Sequence, residues 1–348
     1  MYVKKIELRN FRNHIEKKIE FDKKINLILG ENAKGKTNIV EAINICSYGK
    51  SFRNAKDLEL INLDNENSNI KMSYVYDEIY DVEKIIDIEI YKNQKNIIKI
   101  DNKKIKNYVQ LMENFYSVVF APEDLKIIKE DPIKRRTFID KELCQIDKKY
   151  FLNLREYRKI LKNRNNILKN EKIDSNFLDI LDEQIAKRAE IIIKKREEYI
   201  KLLNNVSKDI HYKISGEKEK IYIEYQKNIN GDYLNSLKNN RNNDIKYKTT
   251  GLGIHKDDIK IIINGKDSRK YASQGQQRSI ILSLKIAQIN IITKLKEEKP
   301  VFILDDVFSE LDNNRKKALV DILQDIQIFI TTTQQEEFFD KSHIIEIE

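Results

Sequence analysis

Cysteine, proline and glycine are scarce in this chain of 348 residues, and tryptophan is missing. The two cysteines, Cys46 and Cys144, stand far apart and have no His or Cys partner at metal-ligand spacing. That excludes a disulfide framework and a structural zinc site, and points to a reducing compartment. Only three prolines occur, and none falls between Pro132 and Pro300, so long helices can run there unbroken. No apolar run approaches the ~20 residues of a membrane-spanning helix. Met1 is followed by alternating polar and apolar residues rather than by the apolar core of a signal peptide. A soluble, cytoplasmic protein without a membrane partner is therefore expected.

What is abundant is charge, at 35% of residues, with a net +9. Lysine and isoleucine dominate. A basic balance suggests a polyanionic partner, though biased codon usage contributes to it as well. The length allows one large or two ordinary domains.

With only nine glycines available, their placement in Gly30-x-x-x-x-Gly35-Lys36-Thr37 is informative. The apolar run Ile25–Leu29 reads as a buried strand before it. Ile39, Val40 and Ile43 mark one side of a helix after it. A strand, a glycine loop ending in Lys-Thr and a helix make a phosphate-binding loop. Glycine lets backbone N–H groups turn toward phosphate oxygens, and the helix N-terminus adds to the positive field. Gly30, Glu31, Asn32, Ala33, Lys34, Gly35, Lys36 and Thr37 would cradle a triphosphate. Lys36 would reach the β- and γ-phosphates, and the Thr37 hydroxyl would hold Mg²⁺. The loop alone does not choose between ATP and GTP.

Val3–Phe11 and Ile15–Phe21 alternate as a hairpin, with Arg12 at its turn. This arginine can reach a nucleotide or remain a solvated turn residue. Residues 70–76, 82–91, 96–100 and 117–120 read as strands. From Ile133 to His211 the pattern is helical. Leu178, Leu181, Ile185, Ala189, Ile192, Tyr199, Leu203, Val206 and Ile210 form a seam at three- and four-residue steps, interrupted by Arg196. Leu154, Tyr157, Leu161 and Leu168 offer a matching face on the preceding helix. Arg155, Arg158, Lys159, Lys162 and Lys169 share the opposite face, a stripe suited to a phosphate backbone or to plain solvation. In the last third, Ile221–Tyr225 and Asp258–Ile263 read as strands, the second closed by Asn264-Gly265. Ser273-Gln274-Gly275-Gln276-Gln277 precedes a helix and could offer hydroxyl and backbone N–H to a γ-phosphate. Val301–Leu304 is a buried strand that delivers Asp305 and Asp306 at its tip. Asp305 would bind Mg²⁺ and Asp306 would orient the attacking water. An apolar stretch, Ile326–Ile330, reads as the final strand.

These motifs together resemble the RecF family of bacterial recombination and gap-repair ATPases, related to the SMC and ABC families. The resemblance covers nearly the whole chain. It rests on Leu8–Asn13, Gly30-Glu31-Asn32 with Gly35–Asn38, Lys50–Arg53, Phe120–Leu125, Arg135-Arg136, Asp140, His255, Asp257-Asp258, Ala272–Arg278 and Leu304–Asp312. It implies an α/β fold, an ABC-type P-loop ATPase head (lobe I) with an inserted α-helical lobe II. The expected division is 1–122 and 213–348 for the head and 123–212 for the arm. It also implies ATP and Mg²⁺ as cofactors and weak, DNA-stimulated hydrolysis with Lys36, Asp305 and Asp306 as catalytic residues. An ATP-dependent homodimer is implied, in which Ser273, Gly275 and Gln276 of one copy close over ATP held by the other. Single-stranded and gapped double-stranded DNA, RecO and RecR are the implied partners, in gap repair, replication restart and SOS induction.

Some positions depart from the family pattern. Ala33 and Lys34 stand where glycine and glutamine are usual. A left-handed Ala33 would cost on the order of 1–2 kcal/mol, so a right-handed backbone is expected there. Ile254 and Lys256 flank His255 where proline and arginine are usual. Thr332 or Thr333 occupies the place of a γ-phosphate-sensing histidine in many ABC proteins. The competing readings are a transporter ATPase subunit, a chromosome-structure ATPase head and a DNA-binding scaffold that holds ATP without turnover. The transporter usually carries a more glycine-rich signature. The chromosome-structure head needs a long rod.

Overall fold

In a computed structural model of the chain, residues 1–77, 81–308, 311–323, 325–334 and 342–347 are described. Ser309 and Glu310, part of the stretch that carried the resemblance, lie outside them. The chain forms two compact units. The first holds Met1–Leu125, Asp209–Glu219 and Gln274–Glu348; the second holds Lys126–Lys208 and Lys220–Ser273.

The first unit begins with β1 (Tyr2–Phe11), β2 (His14–Glu20), β3 (Ile25–Leu29) and α1 (Lys36–Tyr48). It continues with β4 (Asn67–Asp77), β5 (Val82–Tyr91), β6 (Ile97–Ile100), β7 (Lys103–Lys104), α2 (Tyr108–Met112) and β8 (Ser117–Phe120). An antiparallel sheet takes the order β2-β1-β4-β5-β6-β7. Its strands alternate, so that Ile6 and Leu8 of β1 and Ile70, Met72 and Tyr74 of β4 are buried, and a register shift between Val3 and Lys5 accompanies the burial of Val3.

The second unit contains α3 (Lys126–Lys129), α4 (Pro132–Ile146), α5 (Lys148–Ile167) and most of α6 (Ser175–Ile214). At 40 residues, α6 is about 60 Å long. Pro132 sits in the first turn of α4, where its missing N–H is harmless. Next come β9 (Ile221–Gln226), α7 (Tyr233–Asn239), α8 (Arg241–Tyr247), β10 (Asp258–Ile263), β11 (Lys266–Asp267) and α9 (Ser268–Tyr271). The strands make a small antiparallel sheet, β11-β10-β9. The expected division gave 213–273 to the head. Packing instead places 220–273 with the helices of the second unit. Ion pairs join α4 and α6 to Asp257 and to the first residue of β10. Arg135 holds Asp258 through two bonds, at 2.7 and 3.0 Å. Arg196 joins Asp140, at 2.9 Å, to Asp257, at 3.0 Å.

The chain then returns to the first unit with α10 (Gln274–Lys296), β12 (Val301–Asp305), α11 (Asn313–Ile322), β13 (Ile328–Thr332) and β14 (His343–Glu346). A parallel sheet takes the order β14-β3-β13-β12-β8. Its inner strands are almost wholly buried, as a parallel sheet covered on both faces requires. The strand expected to be last is followed by one more. β14 pairs in parallel with β3, and its exposed, weakly apolar residues carried no clear strand pattern.

Candidate nucleotide-binding site

The parallel sheet sets the site. β3 ends at the phosphate loop, β12 ends at Asp305, and β13 lies between them. Topology thus brings together motifs that are almost 270 residues apart in sequence, and Thr37 Oγ1 donates to Asp305 Oδ1 at 2.9 Å. This is the pairing expected of two ligands that share one divalent cation.

The loop itself is tightly held. Lys36 is buried, and its ammonium donates to the carbonyls of Gly30, at 2.7 Å, and Glu31, at 2.8 Å. A lysine has three such protons, so one remains for a phosphate oxygen. Gly35 has φ 103°, and a Cβ there would fall 2.7 Å from the side chains of Asn13 and His14. Ala33 is left-handed, with φ 68°, contrary to the right-handed backbone expected from its steric cost. The loop's curl, set by the strand and helix at its ends, overrides the local preference of one alanine.

Loop carbonyls that face away from a triphosphate need partners of their own, and the β1–β2 turn supplies them. Asn13 Nδ2 donates to Lys34 O at 3.2 Å, and His14 Nε2 lies 3.2 Å from Gly35 O. Asn38 Nδ2 in turn donates to Asn13 Oδ1 at 2.6 Å. Burial holds the His14 pKa below the ordinary imidazole value, which favours the neutral ring. With its Nε2 protonated it serves as a donor to Gly35.

Arg12 is not a solvated turn residue. Its guanidinium donates to both carboxylate oxygens of the fully buried Glu41, at 3.0 and 2.8 Å, and to Glu59 O at 2.9 Å. Ser51, in the Lys50–Arg53 stretch, also donates to Glu41. Arg12 is thus an anchored residue of the loop's surroundings, its charge balanced by α1.

Asp305 is 4% exposed and accepts from Thr331 Oγ1 at 2.8 Å as well as from Thr37. Burial pushes its pKa up to about 6; the two threonine bonds oppose the rise, and the charges of Asp306 and Glu123 add to it. Glu123, between β8 and α3, therefore belongs to the electrostatic surroundings of this carboxylate. Asp306 is left-handed, with φ 52°, and its N–H donates to Thr331 Oγ1 at 2.9 Å. Thr331 is thus the threonine of this strand end that touches both Asp305 and the Asp306 N–H. Thr332 turns instead to Gln334 O, at 3.1 Å. Oxygen ligands of this kind suit Mg²⁺. Among the described residues no group of three His, Cys, Asp or Glu forms a metal cage. A cation here would therefore complete its shell with phosphate and water.

Of the remaining expected residues, Ser273 is exposed just before α10, while Gly275 and Gln276 lie in its first turn. A Cβ on Gly275 would sit 3.1 Å from Arg315 Nη1, and Gln276 Nε2 donates to Glu219 at 2.9 Å. Arg155, Arg158, Lys159, Lys162 and Lys169 are all exposed in the second unit. Arg158 is paired with Asp140 at 3.0 Å, and Arg155 lies 3.5 Å from Glu156. His255 has both ring nitrogens engaged, by Tyr157 Oη at 2.8 Å and Thr250 O at 3.1 Å, as a residue holding its own loop would. Sequence reasoning missed Glu41, Asn13, His14 and Thr331. Only the stretch around Arg12 carried any signal for them.

Comparison with known proteins agrees with this geometry. A family model described as the RecF/RecN/SMC N terminal domain matches residues 2–348. The DNA replication and repair protein RecF of Clostridium kluyveri is 46% identical over 342 residues, covering 96% of this chain and 93% of its own. That of Clostridioides difficile is 41% identical, covering 99% and 95%. The solved structure of the recombination mediator protein RecF-ATPrS in the RecFOR pathway matches with a TM-score of 0.92 at 38% identity, over 100% of this chain and 96% of that one. The Smc head domain of Pyrococcus furiosus, at TM-score 0.57 and 17% identity over 99% of this chain and 93% of that one, shares the fold. The fold is that of an ABC-type ATPase head with an inserted helical region, as expected.

Proposed function

The chain belongs to the RecF family of DNA replication and repair proteins, and from that premise we propose that it is an ATP-switched DNA clamp for the repair of single-stranded gaps. ATP binds at Gly30–Thr37. Lys36 holds the β- and γ-phosphates, while Thr37 and Asp305 hold Mg²⁺. Held there, the cation would supply charge neutralisation to the phosphates. Asp306 orients the attacking water, and Arg12 stays tied to Glu41 beside the loop. Ser273, Gly275 and Gln276 of a second copy complete the pocket, so ATP promotes a homodimer. The dimer grips single-stranded or gapped double-stranded DNA, with Arg155, Arg158, Lys159, Lys162 and Lys169 among the candidate contacts. Hydrolysis is slow, since Asp306 has a shorter reach than a glutamate, and DNA stimulates it. The domains act as a head and an arm in the cytoplasm, with RecO and RecR as partners in recombinase loading, replication restart and SOS induction.

The observation that carries this reading is the 2.9 Å bond from Thr37 to Asp305, beside a lysine already set in its loop. Sedimentation of the chain with and without ATP and gapped DNA tests it. A monomer-to-dimer shift that requires ATP is expected. A chain that stays monomeric in saturating ATP while still hydrolysing it at full rate on DNA would refute the clamp.

A further inference from the structure

The six-stranded sheet ends in a segment of concentrated positive charge. Residues 92–106 hold Lys92, Lys95, Lys99, Lys103, Lys104 and Lys106 against one acid, Asp101. β7 is an edge strand, and its register sets Lys104 opposite Lys99. Like charges facing each other across a ladder destabilise it. Glu89 balances Lys99 at 2.6 Å, and Glu66 lies 3.6 Å from Lys92. Lys95, Lys103, Lys104 and Lys106 are exposed and make no ion pair among the described residues.

A cavity of about 490 Å³ opens beside this segment. Lys92, Lys95 and Lys106 line it together with Tyr91 and Tyr108, and Leu58, Ile98 and Ile105 supply apolar wall. Its one acid, Asp57, is engaged by Asn96 Nδ2 at 2.7 Å. The volume suits an organic ligand of nucleotide size. Cations beside tyrosine rings and an apolar recess match what unpaired nucleotides offer, a phosphate for each ammonium and a flat base for stacking. A duplex keeps its bases stacked inside and cannot fill such a recess without flipping one out. An acidic peptide would use the lysines and leave the rings and apolar wall without a role.

We infer that this cavity and its lysines form a binding site for unpaired nucleotides of a single DNA strand, within the first unit. The inference rests on the DNA-binding function proposed above and assigns part of it to residues 91–108.

The test uses the full chain, labelled oligo(dT) and a labelled hairpin duplex, with binding read by fluorescence anisotropy between 50 and 200 mM salt. The double variant Lys95→Glu/Lys106→Glu is expected to bind oligo(dT) at least about tenfold more weakly. Its log–log salt slope should be shallower by about 1.4, for two phosphate contacts of ~0.7 each. Duplex affinity and ATP binding should stay within about twofold. Tyr91→Leu should weaken oligo(dT) about tenfold while leaving the slope unchanged. Unchanged affinity in both variants overturns the site, as does an equal loss on duplex and single strand. Full affinity combined with self-association of the lysine variant also overturns it, by marking the lysines as protection of a sheet edge. A wild-type chain that binds neither DNA overturns the DNA-binding function itself, and the site with it.

Discussion

Arg196 in the second unit and Asp305 in the first are buried charges treated in opposite ways. In the second unit, Arg196 is almost wholly enclosed and touches Asp140, Asp257 and the Ile254 carbonyl. Arg164 likewise joins Asp182, at 2.6 Å, to Asp244, at 2.7 Å. Each cation meets two carboxylates, so burial is compensated inside the unit. In the first unit, Asp305 is nearly as buried, yet its two partners are neutral hydroxyls. Burial raises its pKa, and the charges of Asp306 and Glu123 add to the rise. Paired charge makes a fixed scaffold. A carboxylate set among hydroxyls is what the proposed Mg²⁺ site would use.

The contrast can be broken at the scaffold first. Arg196→Met leaves Asp257 without its cation and Asp140 with Arg158 alone, and should destabilise the second unit by about 3–5 kcal/mol, read by calorimetry. Arg196→Lys should rescue little of this, because a single ammonium cannot replace a fork that reaches several partners.

At the site, Asp305→Asn should behave in the opposite manner. The asparagine Oδ1 can still accept from Thr37 and Thr331. The protein without nucleotide should therefore keep or gain stability at pH 8, by up to about 3 kcal/mol for removal of a buried charge. ATP turnover should fall on the order of 100-fold or more. The pH dependence carries the same sign. A folded pKa raised from 3.8 to about 6 means that the protonated acid is favoured by the fold. The Asp305 contribution to stability is present in full below the unfolded value and is lost as pH rises through about 6. Mg²⁺-dependent nucleotide binding needs the carboxylate and should weaken as pH falls below about 6, and this dependence should vanish in Asp305→Asn.

Smaller effects sharpen the picture of the loop. His14→Leu removes the partner of Gly35 O and should weaken ATP binding about fivefold, the worth of one hydrogen bond. His14→Gln, with an amide donor in place of the ring, should restore much of it. The buried neutral ring resists protonation. Its contribution to stability should therefore decline as pH falls from the ordinary histidine value, and the leucine variant should lack that decline. The smallest change is Ala33→Gly. It relieves a left-handed alanine but adds freedom to the unfolded chain, for a net gain of about 1 kcal/mol or less in thermal stability.

The phosphate loop was legible because its strand, glycines, Lys36, Thr37 and helix are contiguous, and each obeys a local rule. The seam of α6 was legible for the same reason, and its interruption at Arg196 was visible as a break. The purpose of that break was not, since Asp140 and Asp257 lie 56 and 61 residues away. Ala33 went the other way: the local steric rule was sound, and closure of the loop overrode it.

By its own pattern, then, the sequence determined most of the strands, the long helices, the phosphate loop and the carboxylates at the tip of β12, because each follows from periodicity or spacing over a few residues. Only the tertiary structure decided that β13 would lie between β3 and β12 so that Thr331 meets Asp305, that Arg12 would be held by Glu41, and that 220–273 would join the helices of the second unit. Those outcomes depend on which distant surfaces bury one another, and burial between distant segments leaves no local period to read.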